Sequence, residues 1–234
     1  NLVGTITTNV DDGAVAADLS VTGNIGGGAG LTKSGDGTVV LTGTNTYTGA
    51  TTVNAGIVQI GNGGTTGTPG TGNITNNADL VINRSDAITV ANTIGGTGNL
   101  TQSGAGTTTL GGTNTYSGDT TVTAGILVID GDSLSDDSNL VIDGGKVEVT
   151  NDETVASLYF GVTAQALGTY GATGSGATFI DDTRFQGTGI VTVIGAGYST
   201  WITGFGLAVG DQDPTDDPDN DGVSNAVEWV LGGD

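Results

Sequence analysis

The chain has no cysteine, no methionine and no histidine, and only four basic residues among its 234. Without cysteine there is neither a disulfide framework nor thiol chemistry, a composition compatible with export from the cell. Without histidine the usual general base and the commonest transition-metal ligand are missing. Lys33, Arg84, Lys146 and Arg184 stand against 25 carboxylates, for a net charge of −21. Phosphate binding needs clustered Lys and Arg, so nucleic acid is not expected as a partner, nor is an anionic membrane surface. No apolar run is long enough to span a bilayer, and membrane insertion is not expected either. Aromatic residues make up 5% of the chain, too few to fill the thick core of a compact globule of this length. The first residue is Asn1 rather than Met, as expected of a processed chain or of a piece of a longer protein.

What the chain does have is glycine, 45 residues of it, with abundant Thr, Asn and small β-branched side chains. That composition suits thin layers of short strands joined by tight turns. Disorder is the competing reading of so much glycine, but Val, Ile and Leu recur regularly enough to give each segment something to bury. The acidic surface attracts divalent cations and keeps an extended particle in solution.

The chain repeats itself. Ile25 aligns with Ile94, an offset of 94 − 25 = 69, and the alignment runs without a gap from Leu19/Ile88 to Gly61/Asp130. More than half of the aligned positions are identical. A shorter echo follows each copy, NNADLVIN from Asn76 and DDSNLVID from Asp136. Apolar residues inside each copy come in short clusters with a period of two, the period of a strand. Solenoid units take roughly 20–25 residues per turn, which predicts about three coils per repeat and about nine or ten in the chain. Stacked at ~4.8 Å they would make a rod on the order of 45 Å long. Gly35, Gly37, Gly104 and Gly106 are expected at corners that need positive φ. In the shared string TNTYxG, Asn45 and Asn114 are expected to bond turn backbone or stack as a ladder, and Tyr47 and Tyr116 to cover corners. The segment Leu2–Val10 reads as a strand that could pair with an adjacent subunit.

The strings GLTKSGDGTVVLTGTNTYTGATTVNAG (Gly30–Gly56) and NLTQSGAGTTTLGGTNTYSGDTTVTAG (Asn99–Gly125) resemble the autotransporter-associated β-strand repeat, also called the passenger-associated transport repeat. Leu167–Gly195 looks like the closing module that follows such repeats. The resemblance spans about residues 19 to 195 and implies an all-β fold, a right-handed parallel β-helix exported across a Gram-negative envelope. Such passengers carry adhesion, scaffolding and sometimes hydrolysis, so no single activity follows. No membrane β-barrel translocator follows the repeats in this sequence, so self-secretion is not claimed for it. We divide the chain into a solenoid over 1–197, with repeats at 19–61 and 88–130, and a linker, acidic loop and short helix over 198–234.

That acidic tail has its own grammar. A loop counted from Asp217 places Asp217, Asp219 and Asp221 at positions one, three and five, and Gly222 at the sharp turn of position six. The Val223 carbonyl falls at seven, Asn225 at nine and Glu228 at twelve, the ligand set of an EF-hand calcium loop. Hard oxygen ligands without His or Cys select Ca²⁺. Val223, Val227, Val230 and Leu231 share one side of a short helix after the loop. Pro214 and Pro218 disfavour an entering helix, so the loop is similar to a half EF-hand of dockerin or thrombospondin type. The competing reading is a solvated acidic linker. Asp211, Asp213 and Asp216 form a weaker second set. Trp201, Phe205 and Trp229 supply bulk that the coils lack and are expected to cover the open end of the rod or dock it on a neighbour.

Three functions are compatible with this sequence. The first is a structural or adhesive protein, secreted or held at a Gram-negative cell surface, touching surfaces or matrix and stacking head to tail into fibres. The second is a polysaccharide-binding or polysaccharide-degrading β-helix using Asp136/Asp137, Asp152/Glu153 or Asp181/Asp182. Neighbours on a strand point to opposite faces, however, so these pairs read as turn or surface residues and no enzyme is expected. The third is an ice- or surface-binding solenoid using Thr5/Thr7, Thr107/Thr109 and Thr121/Thr123.

Overall fold

In a computed structural model of the chain, residues 5–13, 17–131 and 133–195 are described. They hold strands, turns and loops and no helix. Short strands stack in parallel on three sides of a β-solenoid of about seven turns. The first side is built from Ile6–Asn9, Leu31–Ser34, Thr51–Val53, Ile74–Asn76 and Ile94–Gly95. The second runs Leu19–Val21, Thr38–Leu41, Ile57–Ile60, Asp79–Ile82, Asn99–Gln102, Thr120–Val122, Asn139–Ile142 and Ser157–Phe160. The third contains Ile88–Val90, Thr107–Leu110, Ile126–Asp130, Lys146–Asn151 and Phe185–Gly187.

The strands are only a few residues long, and most alternate buried with more exposed side chains, because strand side chains point to opposite faces in turn. Matching registers on successive coils then build columns. On the second side Leu80 pairs with Leu100, Leu100 with Thr120, and Thr120 with Leu140. Beside them Ile60, Ile82, Gln102, Val122 and Ile142 form the next inward column. These columns are buried, and their apolar members belong to one continuous core.

Strand register gives the length of a coil. Leu31 pairs with Thr51, Thr51 with Ile74 and Ile74 with Ile94, so the steps are 51 − 31 = 20, 74 − 51 = 23 and 94 − 74 = 20. The repeat offset of 69 is therefore not a whole number of coils. Leu31 lies on the first side and its counterpart Leu100 on the second; Thr38–Leu41 lie on the second and their counterparts Thr107–Leu110 on the third. The repeat advances three coils and one further side, so the second copy is turned by a third of a revolution. The expected nine or ten coils reduce to about seven, a stack of roughly 35 Å at ~4.8 Å per coil. The difference arises because residues 161–184 leave the stack to form a cap and residues 196–234 lie outside the described part.

The rotation changes the roles expected at the corners. Asn45 and Asn114 stand on different sides and form no ladder with each other. Each bridges three coils instead: the Ile25 N–H donates to Asn45 Oδ1 at 2.8 Å, and Asn45 Nδ2 donates to the Thr68 carbonyl at 2.7 Å. In the second copy the Ile94 N–H donates to Asn114 Oδ1 at 2.9 Å, and Asn114 Nδ2 to the Ser133 carbonyl at 2.7 Å. Tyr47 and Tyr116 do not cover corners; both are 0% exposed in the core, with hydroxyls 2.6 Å from Thr51 Oγ1 and Thr120 Oγ1. Of the four corner glycines only Gly35 has positive φ, at 78°. Gly37, Gly104 and Gly106 are needed for close approach, since an added Cβ would collide with a carbonyl oxygen of the preceding coil.

The two ends differ. Ile6–Asn9, the described part of the N-terminal strand, pairs with Leu31–Ser34 of its own chain, and its other edge has no partner among the described residues. At the other end the parallel ladder is stopped by antiparallel strands. Thr163–Ala164 folds back on Ser157–Phe160, and Gly168–Gly171 lies antiparallel to Val191–Val193. Phe179–Ile180 is the outermost strand, parallel to Gly168–Gly171. Nearby, Phe160 meets Tyr170 edge-on and Phe185 at a tilt, both at 6.2 Å, and the Arg184 guanidinium sits 4.3 Å over the Phe160 ring. The closing role expected of Leu167–Gly195 is thus performed by aromatic residues of the described part. Trp201, Phe205 and Trp229 lie outside it.

Candidate adhesive surface

The outward positions of a solenoid are its available surface, and the first side offers a regular set. Thr7, Thr32, Thr52 and Thr75 fall in one column by strand register. Asn9 and Ser34 pair in the column beside it, with Asn54 and Asn77 one step beyond Val53 and Asn76. On a chain of net charge −21 this strip carries hydroxyls and amides only. The motif T-x-N/S recurs at 7–9, 32–34, 52–54 and 75–77, a signal present in the sequence but hidden by its uneven spacing. The expected threonine pairs scatter: Thr7 stands on the first side, Thr121 on the second beside Thr101, and Thr109 on the third beside Thr89.

All four cations are engaged within the molecule. Lys33 is 0% exposed and donates to the carbonyls of Ser34, Gly35 and Ala55 at 3.0, 2.5 and 3.2 Å. Burial lowers its pKa, against the opposing pull of Asp36, Asp18 and Asp11. Arg84 pairs with Asp86 at 2.8 Å and donates to the carbonyls of Gly67 and Thr65, pinning the long turn of the third coil. Arg184 pairs with Asp181 at 2.6 Å, and Lys146 donates to the Asp182 carbonyl at 2.7 Å. No cluster of cations is left to meet a polyanion among the described residues.

The carboxylate pairs are engaged within the fold as well. Glu153 is buried and accepts the Ser133 and Leu134 N–H groups at 3.0 and 3.3 Å, whereas Asp152 accepts the Ile190 N–H at 3.0 Å. The burial of Asp181 would raise its pKa, but hydrogen bonds from Thr183 and Arg184 bring it below the ordinary value. Hydrogen bonds from the Thr173 N–H and hydroxyl lower that of Asp182. A glycosidase acid needs a carboxyl held protonated, the opposite shift. Asp136 and Asp137 are likewise engaged in interactions of their own.

A shallow cleft of about 300 Å³ opens on the third side between Thr44, Thr68, Pro69, Thr71, Thr89 and Asn92. It is lined by the longer turn of the third coil. Gly70 is required there, since an added Cβ would overlap the Tyr47 ring. The expected calcium ligands Asp217, Asp219, Asp221, Val223, Asn225 and Glu228 lie outside the described residues, as do Asp211, Asp213 and Asp216. Among the described residues no cluster of three or more acidic side chains is placed to hold a metal.

Part of each copy of the repeat matches a known family. The model of the passenger-associated-transport-repeat matches residues 31–60 and 100–129. The chain carries passenger-associated transport repeats. Each matched segment comprises two strands, the TNTY corner and two further strands, so one transport repeat makes one coil and two-thirds of the next. A stretch of 90 residues is 41% identical to "Adhesin BmaC autotransporter" of Brucella suis biovar 1 (strain 1330), covering 38% of this chain. The matched stretch spans 3% of the length of that relative. No solved structure matches the chain.

Proposed function

We propose that this chain is a rod-shaped adhesive segment of a bacterial surface protein, secreted or displayed on a Gram-negative cell. The observation that carries the reading is the uncharged strip of Thr, Asn and Ser on a solenoid of transport repeats. Such a strip meets uncharged polar surfaces, cell-surface or matrix, without the desolvation cost of charge. The similarity to an autotransporter adhesin supports the same reading. Beads coated with the purified chain should adhere to epithelial monolayers or to collagen- and fibronectin-coated glass. Adhesion no better than that of albumin-coated beads would sink the proposal.

The finer parts of the reading have separate tests. Calcium held by Asp217, Asp219, Asp221, Asn225, Glu228 and the Val223 carbonyl would bind at roughly 10⁻⁴–10⁻³ M and act as a local lock. At millimolar calcium and the tight end of that range it adds about 1.4 kcal/mol. Titration calorimetry should show one site, lost in Asp221→Ala. Heat absent from the wild-type chain rejects it. Head-to-tail stacking would join the open first-side edge of one copy to the antiparallel edges of the next, and electron micrographs showing only single short rods with and without calcium exclude it. The Thr7–Thr75 column favours one other reading, ordering of surface water or ice, for which thermal hysteresis is the discriminating measurement.

A further inference from the structure

The third side does not begin with the first coil. Its first strand, Ile88–Val90, ends the sheet, and in the coils before it that side is made of turns. The Gly111 N–H donates to the Val90 carbonyl at 2.9 Å, so Val90 turns its backbone groups toward Thr107–Leu110. Backbone groups alternate in direction along a strand, so the N–H and carbonyl of Thr89 point the other way, out of the sheet edge. Among the described residues no strand pairs with that edge and no backbone hydrogen bond reaches it. The edge lines the cleft of about 300 Å³, opposite Thr44, Thr68, Pro69 and Thr71. The wall of the cleft is rigid. Asn92, 8% exposed, donates through Nδ2 to the Gly70 and Gly72 carbonyls at 2.8 and 2.6 Å, and Gly70 lies against the Tyr47 ring. Asn92 Oδ1 accepts no hydrogen bond from the described residues, which leaves one more acceptor at the cleft.

We propose that this edge captures an extended, basic peptide segment of a partner protein, which adds one strand to Ile88–Val90 inside the cleft. An unpaired N–H and carbonyl on the same residue are what the backbone of an extended peptide completes, with two hydrogen bonds in either chain direction. The edge is three residues long, about 10 Å, so a short stretch with small side chains fills it. No charged residue lines the cleft. The chain as a whole carries −21, and its four cations are engaged within the fold, so Lys or Arg flanking that stretch is attracted to the rod. A second copy is poorly placed to fill the site. The open edges of Ile6–Asn9 and Phe179–Ile180 lie at the two ends of the rod, whereas Ile88–Val90 opens on its flank. A site on the flank stays reachable when the ends are covered. The inference does not rest on the uncharged first-side strip, so adhesion of coated beads and capture of a soluble peptide can fail separately.

The chain itself supplies a probe. Thr107–Leu110 already pairs with the other edge of Ile88–Val90, so a labelled peptide copying Gly106–Gly111 with a lysine added at each end has a matching backbone. Its fluorescence anisotropy should rise to saturation on titration with the full chain. Glutamate in place of the two lysines should weaken binding several-fold, and N-methylation of alternate peptide bonds, in either phase, should abolish it in one phase. Thr89→Pro removes the free donor and puts a ring in the edge. Proline is tolerated on an edge strand whose N–H faces outward, so the circular dichroism should stay unchanged while binding falls at least about tenfold. Ala91→Phe, at an exposed position of the cleft, serves as a second variant with the same expected loss. No rise in anisotropy with the wild-type chain overturns the proposal, as does binding that neither variant nor N-methylation alters. Displacement of the peptide by galactose or glucose, with binding insensitive to N-methylation, overturns it in favour of a glycan site. A dimer in light scattering that forms without peptide and is lost in Thr89→Pro overturns it in favour of a second copy.

Discussion

The two copies of the repeat have the same strings and different addresses. The first places its TNTY corner over the third side and the second places its own over the first side, yet both bury the tyrosine and bridge three coils with the asparagine. The shared residues therefore encode a local task, turning the chain inward and satisfying its neighbours. They do not encode a side of the rod. At one place where the copies differ, the difference is compensated. Lys33 and Gln102 are counterparts, and both satisfy carbonyls of the Ser-Gly-x-Gly turn that follows. Lysine has only donors, and its copy carries Val39 where the other carries Thr108. Glutamine also brings an acceptor, and the Thr108 hydroxyl donates to Gln102 Oε1 at 2.7 Å.

The comparison breaks most visibly at the tyrosines. Tyr47→Ala and Tyr116→Ala should each destabilise the solenoid by about 3–5 kcal/mol in urea titrations, with similar values if the copies are equivalent. A cost below about 1 kcal/mol at either would show that the two are not. The asparagines should separate the copies. Asn114→Ala leaves buried Ile94 N–H and Ser133 carbonyl groups unpaired and should cost about 1–3 kcal/mol. Asn45→Ala acts on half-buried groups that water can reach and should cost less.

The lysine–glutamine exchange gives a smaller and more specific signal. Lys33→Gln alone buries an amide oxygen without the hydroxyl that Thr108 supplies in the other copy, at a cost of about 1–3 kcal/mol. Adding Val39→Thr should restore part of it, with a coupling energy on the order of 1 kcal/mol in a double-mutant cycle. Additivity would show that the pairing is incidental. The smallest effect is in pH. Burial holds the Lys33 pKa below the ordinary 10.5, so the unfolded chain binds that proton more tightly. Stability then rises with pH between the lowered value and 10.5, because the unfolded state carries more protons there. The Lys33→Gln/Val39→Thr variant should lack that component, and the wild type should gain on it as pH climbs through this window. A constant difference between the two would assign the Lys33 ammonium no cost in the fold.

Much of this is readable in the chain itself. The period of two in strings such as Thr121-Val122-Thr123 and the internal match from Leu19 to Asp130 specify short stacked strands, because only a repeated layer can bury so little bulk per residue. The strands Gly168–Gly171 and Phe179–Ile180, which help to end the parallel ladder, fall within the segment read as a closing module. What was not legible was phase. A strand of a few residues does not announce which side of a prism it occupies, and the repeat is not a whole number of coils. The T-x-N/S strip escaped for the same reason: its members look irregularly spaced until strand register aligns Thr7, Thr32, Thr52 and Thr75. Buried Lys33 was unforeseen as well, since the carbonyls of Ser34 and Gly35 meet its ammonium only once the turn forms, and that of Ala55 comes from the next coil.

Sequence alone determined the all-β solenoid, the repeat and its family resemblance, because alternation and turn chemistry are local properties. Tertiary structure decided which repeated residues share a side, how each cation is engaged and how the C-terminal edges are closed. Those depend on the length of each coil summed along the stack, a quantity that no single segment contains.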